Sequence, residues 1–386
     1  MKNIIRKSSI IYLLVGVLCF SCTTEKLKQT YTNELKLLIY DSIDLKDGLE
    51  FQVKSYNPKT KLYTLIRDKS IVGFNKKEEV FSFNKYGKGP DEYTFSNSYT
   101  TCPLETSRKA IYINSDNYLK SFDFNGNLLS SNKIDDDVYY ADRILLGRNN
   151  SNSNVFYFKG KGPSSMRKED PDPEVYSDSP SFFSLNLENN NITLYGSGID
   201  NNILKKEINT YSLIFPKISY NRVKSDVGVL YGSVREFFSI PLDTTKKITS
   251  FKLNPNHYNI PIREKEPKND LEYRKKTLSQ AAYAKIYYNA DTLISVYRAA
   301  FSNESIAEIA NYPKYSNFFN SFAKYYFDIY IKKEKVSNDI LVPKPYKVAL
   351  IGNSNNILLY KTGEELTIDN QPIRRLYFAK LADVKE

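Results

Sequence analysis

Histidine, cysteine and tryptophan are scarce in this chain, whose 386 residues include one histidine, three cysteines and no tryptophan. Zinc sites and Ser–His or Cys–His catalytic groups need an imidazole with partner residues nearby. The one histidine, His257, follows Asn-Pro-Asn in a predicted turn, where we expect it to be exposed to solvent. The scarcity of histidine therefore argues against metalloenzymes and histidine-dependent hydrolases.

The three cysteines do not make a disulfide framework. Cys19 and Cys22 belong to an N-terminal signal, which leaves Cys102 alone. We expect Cys102 to be a small buried apolar side chain and not a reactive thiol, because no histidine lies near it in the sequence to activate it.

Basic residues exceed acidic ones, 55 to 44, which gives a formal net charge of +11 at pH 7. The excess is spread as single lysines and pairs, with no run long enough to follow a phosphate backbone. We therefore expect a basic, solvated surface and no nucleic-acid partner. Attraction to anionic lipid head groups or to an acidic polymer is the alternative interpretation.

The first 22 residues have the pattern of a secretion signal. A basic start precedes an apolar stretch at residues 10–20, too short to span a bilayer comfortably, and a serine and Cys22 follow. This pattern resembles a bacterial lipoprotein signal, in which the cysteine after the cleavage point is acylated and becomes the new N-terminus. The resemblance implies that residues 1–21 are removed and that Cys22 carries a lipid anchor that holds the protein on a membrane.

Residues 22–34 are polar and predict a flexible tether behind the lipidated cysteine. Some lipoproteins of gut-type Gram-negative bacteria carry an acidic cluster directly after that cysteine, which sends them to the cell surface. Here Glu25 is the only acidic residue among residues 23–33. The tether therefore favours the periplasmic face of the outer membrane over the cell surface.

From Leu35 onward the chain alternates apolar and polar residues, and its 32 tyrosines and 22 phenylalanines suit a pleated β-surface. The clearest unit, residues 109–133, predicts three strands, with a hairpin turn at Asn125-Gly126 in which both residues would take positive φ. Looser copies recur along the chain. We therefore predict that residues 35–386 form one all-β domain, a β-propeller of six blades with four strands each.

Two stretches, residues 269–288 and residues 302–325, are harder to place in this pattern because either could be helical. Residues 269–288 show helical spacing after Asp270, which predicts a short helix inserted between blades. Residues 284–288 and 293–297 are assigned to the fifth blade, and residues 325–331 to the last blade.

The most distinctive motif is Gly-Lys-Gly-Pro-Asp-Glu-Tyr at residues 87–93, whose glycines and proline predict a tight turn. It is not a dinucleotide loop, because glutamate stands where that fingerprint needs its third glycine. A structural turn and a ligand-binding loop at the propeller rim are both open interpretations. The candidate loop residues are Gly87, Lys88, Gly89, Pro90, Asp91, Glu92 and Tyr93.

The heptapeptide, the apolar strand ending at Phe83 before it and the Ile-Tyr-Ile strand at residues 111–113 together carry a family resemblance. They look like the six-bladed β-propeller lipoproteins common in gut-type Gram-negative bacteria, in which a Gly-x-Gly-Pro-x-Glu-Tyr turn closes an early blade. The likeness is detailed over about residues 80–134 and architectural elsewhere. The resemblance implies a six-bladed β-propeller located in the cell envelope, and it implies no particular activity.

Acidic runs are the remaining candidates for chemistry, since glycosidases and lyases can work without histidine. The densest are residues 135–137, three aspartates, and the proline-rich loop at residues 161–180. Either run could hold Ca²⁺ through oxygen ligands, although neither has EF-hand spacing, and a solvated loop is the plainer interpretation. We expect no metal site and no cofactor, with calcium as the one ion worth testing.

These patterns predict a non-enzymatic lipoprotein of the outer membrane whose propeller is a binding scaffold for a protein or glycan partner. Exposed tyrosines could stack on sugar rings. The alternative is a carboxylate- and tyrosine-based glycan hydrolase or lyase with its site in the propeller funnel. Converging acidic, tyrosine and arginine side chains in the channel would favour the enzyme, and an apolar plug would favour the scaffold.

Overall fold

Six antiparallel sheets make up the part of the chain described by the computed structural model. They follow one another along the sequence as the blades of a β-propeller, so the predicted all-β, six-bladed fold is confirmed. The described residues are 34–46, 51–94, 104–105, 110–115, 118–134, 144–148, 155–159, 182–189, 191–196, 216–232, 234–259, 270–311, 315–362, 366–368 and 371–383.

Several predicted features lie outside the described residues. They are the signal and most of the tether, with Cys22, together with Cys102 and the acidic runs at residues 135–137 and 161–180. None of the helices in the described part of the chain is long and apolar enough to cross a bilayer.

The strands are numbered in chain order and grouped by blade. Blades 1 to 3 contain β2 Phe51–Asn57, β3 Leu62–Arg67, β4 Ser70–Phe74 and β5 Glu79–Phe83; β6 Leu104–Glu105, β7 Ala110–Ser115, β8 Tyr118–Phe122 and β9 Leu128–Lys133; β10 Ile144–Arg148, β11 Val155–Lys159, β12 Phe182–Asn186 and β13 Ile192–Tyr195. Blades 4 to 6 contain β14 Lys217–Asn221, β15 Asp226–Leu230, β16 Glu236–Pro241 and β17 Thr249–Lys252; β18 Ala282–Asn289, β19 Thr292–Arg298, β20 Tyr325–Ile331, β21 Glu334–Lys335 and β22 Ile340–Leu341; β23 Tyr346–Asn353, β24 Asn356–Lys361, β25 Leu366–Ile368, β26 Gln371–Asp383 and β1 Leu35–Lys46.

The core of the propeller consists of apolar clusters between neighbouring blades. The middle strands supply both sides of each blade, because successive side chains of a strand point to opposite faces. In β3, Tyr63 and Leu65 pack against Phe378 of blade 6, whereas Ile66 packs in the cluster that contains Ile111 of blade 2. Each such side chain contributes about 1.5–3 kcal/mol on burial. This two-sided burial explains why the middle strands contain almost continuous apolar runs.

The ring closes through its two ends. β1 pairs antiparallel with β26 along its length, from Leu35 opposite Asp383 to Lys46 opposite Ile373, so the first described strand is the outer strand of the last blade. The Arg375 guanidinium donates to both carboxylate oxygens of Asp44 at 2.6 and 2.8 Å, and this contact holds the pKa of Asp44 below its usual value. Strand pairing and an ion pair thus join residues far apart in sequence.

One blade assignment made from the sequence is wrong. β20, Tyr325–Ile331, pairs with β19 and is the third strand of blade 5, not part of the last blade. The two strands are separated in sequence by α2 Asn303–Ala307, a 3₁₀ turn at Glu308–Asn311 and α3 Tyr315–Phe322. Sequence spacing alone could not show that this helical insertion lies inside one blade.

The predicted helix between blades exists but is shorter than the helical spacing suggested. α1 covers Asp270–Leu278, and the chain then enters the inner strand of blade 5. The guanidinium of Arg298 donates to the carbonyl oxygens of Thr277 at 3.2 Å and Gln280 at 2.9 Å, at the end of this helix. The same guanidinium lies 4.8 Å from the ring centroid of Phe301, which belongs to the cluster that the helices share.

The hairpin predicted at Asn125-Gly126 is present, but its loop is longer than a two-residue turn. Phe122 pairs with Leu128, and the Asp123 carboxylate accepts hydrogen bonds from the amides of Asn125 and Asn127, both at 2.8 Å. Gly126 has φ +83°, whereas Asn125 is not among the described residues with positive φ. The aspartate side chain therefore organises the loop, and only the glycine uses the left-handed region.

We predict that Gly126→Ala destabilises the protein by about 1–2 kcal/mol. An alanine at positive φ is strained, and its Cβ would lie 3.0 Å from Phe83 of the neighbouring blade. Urea unfolding measures the change, with the exposed Asn125→Ala as the control, expected to stay within about 0.5 kcal/mol of the wild type. Equal effects of the two substitutions would contradict the requirement for glycine.

Candidate functional site

The heptapeptide of residues 87–93 forms a tight turn after β5. The Gly87 amide donates to the Tyr93 carbonyl at 2.9 Å, and the Gly89 amide donates to the Glu92 carboxylate at 2.6 Å. A Cβ on Gly87 would lie only 2.0 Å from that carboxylate. The absence of a Cβ at Gly87 and Gly89 thus lets the glutamate side chain fold back over the turn.

The last residue of the heptapeptide belongs to the core. Tyr93 is fully buried, packs in the cluster with Phe122 and donates its hydroxyl to the carbonyl oxygen of Lys69 at 2.8 Å. Lys120 of blade 2 donates to the turn carbonyls of Pro90, at 3.1 Å, and Glu92. These contacts join blades 1 and 2.

The side chains of the heptapeptide that remain exposed are Lys88, Pro90 and Asp91. The Asp91 carboxylate lies 3.7 Å from the Lys85 ammonium, and both groups are well exposed. A ligand could reach only these residues of the turn without disturbing its internal bonds. Ligand binding by this loop stays a prediction.

The first strands of the blades lie side by side around the central channel. Among the described residues β14 contacts β18, β18 contacts β23, and β23 contacts β2. The Tyr288 amide on β18 donates to Ser219 Oγ on β14 at 2.9 Å, and the Tyr56 ring on β2 lies against Gly352 on β23. These inner strands are only partly buried, in contrast to the middle strands of the blades.

Three lysines lie on these inner strands, and their like charges disfavour one another's protonated forms. Lys285 on β18 has its pKa lowered to about 8, first by burial and then by the charges of Lys217 on β14 and Lys54 on β2. Burial also lowers the pKa of Lys217. Among the side chains that the structure describes, no carboxylate offsets the shift of either Lys217 or Lys285. The inner strands of blades 1, 4 and 5 therefore each carry a lysine.

Bulges in the inner strands set the direction of these groups. The ladder between β2 and β3 shifts register at Lys54, and the ladder between β23 and β24 shifts at Ala349. A bulge leaves its extra residue out of the ladder and re-aims it. The Ala349 carbonyl accepts a hydrogen bond of 2.7 Å from the Lys285 ammonium. The sequence analysis missed these lysines, because single lysines on separate strands carry no linear motif.

Tyrosine hydroxyls add neutral donors to the same strands. Burial raises the pKa of Tyr287 on β18, and burial, Tyr40 and Tyr287 together raise the pKa of Tyr56 on β2. Both hydroxyls therefore keep their protons at neutral pH and can donate hydrogen bonds.

The clearest pair of buried carboxylates lies in blade 5. The Lys335 ammonium contacts Asp328 Oδ1 at 3.2 Å, contacts Asp339, and donates to the Asn254 carbonyl at 2.8 Å. Tyr297 donates its hydroxyl to Asp339. The Lys335 and aspartate side chains are at most 2% exposed, so the network joins the loop after β17 to blade 5 and offers substrate no access.

His257 is exposed, as predicted, and its ring stacks on Tyr326 at a centroid distance of 4.4 Å. Its backbone amide donates to the Tyr297 hydroxyl at 3.1 Å, next to the buried carboxylates. Within the described ranges no group of three or more His, Cys, Asp or Glu side chains is arranged to hold a metal ion. Among the described residues, the inner strands thus carry lysines and tyrosine hydroxyls, whereas the buried carboxylates of Asp328 and Asp339 lie in blade 5.

Solved structures with a similar fold include two proteins from Bacteroides species. The chain is similar to a member of the DUF4221 family from Bacteroides vulgatus, with a TM-score of 0.66 and 10% sequence identity over 91% of this chain and 99% of that one. A Bacteroides fragilis protein, described as exported, has a TM-score of 0.50 and 11% identity over 92% of this chain and 98% of that one. At these identities the likeness shows the fold alone. No family model and no curated protein matches the chain.

We predict that Asp328 makes the protein more stable at mildly acidic pH. Burial outweighs the attraction of Lys335 and raises the pKa of Asp328 to about 6. The folded protein therefore takes up a proton on Asp328 below about pH 6, whereas the unfolded chain does so only near the lower, ordinary pKa of an aspartate. As the pH falls from 7 to 5, this difference adds about 1 kcal/mol to the free energy of unfolding. Urea unfolding of wild type and Asp328→Asn across this range measures it.

Asp328→Asn lacks this titrating carboxyl, so the difference in the free energy of unfolding between the wild type and Asp328→Asn should change with pH. The exposed Asp91→Asn serves as the control and should parallel the wild type. A difference between wild type and Asp328→Asn that stays constant from pH 7 to pH 5 would contradict the assignment.

Proposed function

We propose that this chain is a lipoprotein, anchored to the outer membrane through Cys22, whose propeller binds a protein or glycan partner without chemical conversion. The observation that carries the binding function is the set of inner strands, which are only partly buried and carry Lys54, Lys217, Lys285, Tyr56 and Tyr287. An apolar plug is not what these described strands provide. A polar channel mouth on a rigid ring is a typical ligand-binding position.

The arrangement supports binding over the hydrolase or lyase alternative. A glycosidase needs a pair of accessible carboxylates on either side of the scissile bond. The described pair, Asp328 and Asp339, is buried and engaged by Lys335. The proposal includes no cofactor and no nucleic-acid partner. It places the protein on the periplasmic face because Glu25 is the only acidic residue among residues 23–33, so no acidic cluster follows Cys22. The Bacteroides relative described as exported is compatible with this location.

The anchor is tested by metabolic labelling with an alkyne fatty acid, followed by membrane fractionation. We expect the wild type to carry the label and to sediment with the outer membrane, and Cys22→Ala to lose both properties because it lacks the acylated thiol. Cys102→Ala is the matched control and should behave like the wild type. Label retained by Cys22→Ala would contradict the lipoprotein assignment.

The binding function is tested by a thermal-shift screen against host and bacterial glycans, with and without Ca²⁺. A ligand that binds only the native state raises the melting temperature with its concentration. We expect at least one glycan to do so and to be recovered unchanged after long incubation. Shortened or unsaturated products would favour the enzyme instead. A screen without any shift would contradict the glycan form and direct the search to protein partners by cross-linking in the intact envelope.

A further inference from the structure

Four turns of blades 4 and 5 form one continuous surface. We call it the hairpin patch, and it consists of residues 222–225, 242–248, 290–291 and 331–334. The Leu242 amide donates to the Ser225 carbonyl at 3.2 Å, which joins the two turns of blade 4. The Lys332 amide donates to the Asp291 carbonyl at 2.9 Å, which joins the two turns of blade 5.

Asn221, at the end of β14, joins the turns of one blade to those of the next. Its side-chain nitrogen donates to the Ala290 carbonyl at 2.9 Å, and its side-chain oxygen accepts from the Ala290 amide at 3.0 Å. The Lys224 ammonium and the Asp291 carboxylate, 2.6 Å apart, add an ion pair across the same boundary. Direct contacts thus fix the turns of the patch relative to one another.

Cations dominate the hairpin patch. It contains six lysines and arginines, all of them exposed, and three acidic residues. The carboxylates of Asp243 and Asp291 already lie in ion pairs with lysines of the patch. Lys247, Lys332 and Lys333 take part in no ion pair with a carboxylate of the described residues. The patch therefore offers positive charge to a partner outside the chain.

The turn after β20 holds lysines where the backbone disfavours them. Ile331 pairs with Glu334, so Lys332 and Lys333 are the two loop residues of a hairpin, with φ of +51° and +72°. Such a loop favours Asn-Gly, because most other residues are strained at positive φ. Lysine at both positions therefore costs stability, and positive charge is what these residues supply that Asn-Gly does not.

Apolar side chains project beside these cations. Val223, between Arg222 and Lys224, is 67% exposed and is the most exposed large apolar side chain of the described residues. Ile331, directly before Lys332, is 43% exposed. Basic side chains next to exposed apolar ones suit the head-group region of an anionic bilayer, where the cations meet phosphates and the apolar groups leave water.

The patch lies at the end of the blades where the tether joins the domain. The strands of blade 6 pair antiparallel in the order β23, β24, β26, β1, so β1 starts at the end where the inner strand β23 finishes. Its first residue, Leu35, packs against the apolar cluster between blades 5 and 6. Cys22 is 13 residues before Leu35, a span of at most about 45 Å. A lipid on Cys22 would therefore keep this end of the blades within reach of the bilayer.

We propose that the hairpin patch binds the anionic phospholipid head groups of the membrane that carries the anchor. This inference rests on the anchor of the proposed function and adds which face of the propeller contacts the membrane. The turn at residues 87–93 follows a fourth strand, β5, so it lies at the opposite end of the blades from turns that follow first and third strands. Docking through the patch leaves that end open to a partner.

The experiment compares fluorescent labels at the two ends of the mature, acylated protein in vesicles. Thr244→Cys carries the label on the patch and Lys275→Cys carries it on α1 at the opposite end, both at exposed positions and in a Cys102→Ala protein. The vesicles are phosphatidylcholine, with or without phosphatidylglycerol, and contain a lipid with a quencher on its head group. With phosphatidylglycerol we expect at least about twofold more quenching at Thr244, and we expect the excess to vanish in about 1 M salt, which screens charges beyond about 3 Å.

The double variant Lys332→Asn with Lys333→Gly separates charge from folding. Asn-Gly suits the loop, so urea unfolding should show this variant at least as stable as the wild type. Its ratio of docked to free patch, measured from the Thr244 label, should fall about tenfold or more because two charges are lost. Lys246→Gln with Lys247→Gln should lower the ratio in the same way.

The matched control is Lys275→Gln with Lys324→Gln, which removes two exposed lysines at the opposite end and should leave the ratio unchanged. Equal quenching of the two labels, quenching at Thr244 that does not depend on phosphatidylglycerol, or patch variants that dock like the wild type would overturn the proposal. Failure of the anchor gives a different result, since the mature protein would then lack the fatty-acid label on Cys22. Its sedimentation with phosphatidylglycerol vesicles, compared between wild type and the Lys332→Asn, Lys333→Gly variant, would still test the patch.

Discussion

The closing of the propeller ring by β1 and β26 is the constraint on which the rest of the structure depends. The two strands come from opposite ends of the described chain, and Asp44 and Arg375 add an ion pair across the ladder. Blade 6 packs on blade 5 through one apolar cluster and on blade 1 through another. Opening the ladder would therefore expose apolar surface on both sides of the blade, so closure and core formation depend on each other.

Closure of the ring also determines which strands can contact a ligand. The middle strands are buried on both faces and contain the largest aromatic and aliphatic side chains, which leaves them no freedom to contact a ligand. The inner strands have one edge on the channel and are only partly buried, so lysine and tyrosine are tolerated there. Bulges at Lys54 and Ala349 then change the direction of single groups without breaking the ladder.

Local sequence patterns predicted the elements that repeat along the chain, and they could not predict contacts between residues distant in sequence. The strands of residues 109–133 and the Gly87–Tyr93 turn have short-range signals, and both are present. Asn57, Asn221 and Asn353 end three inner strands, and their side chains accept hydrogen bonds from amides two residues ahead, a repeated signal that the analysis overlooked. The assignment of residues 325–331 to the wrong blade arose because a helical insertion separates β19 from β20.

The sequence by itself determined the all-β class, the six repeats and the tight glycine-rich turn, because strand alternation and turn chemistry depend on neighbouring residues. Only the tertiary structure decided that β1 completes the last blade, that Asp328 and Asp339 are buried against Lys335, and that Lys217 and Lys285 lie on neighbouring inner strands. These relations join residues dozens to hundreds of positions apart, and their free energies depend on distance and burial in space, which no local pattern contains.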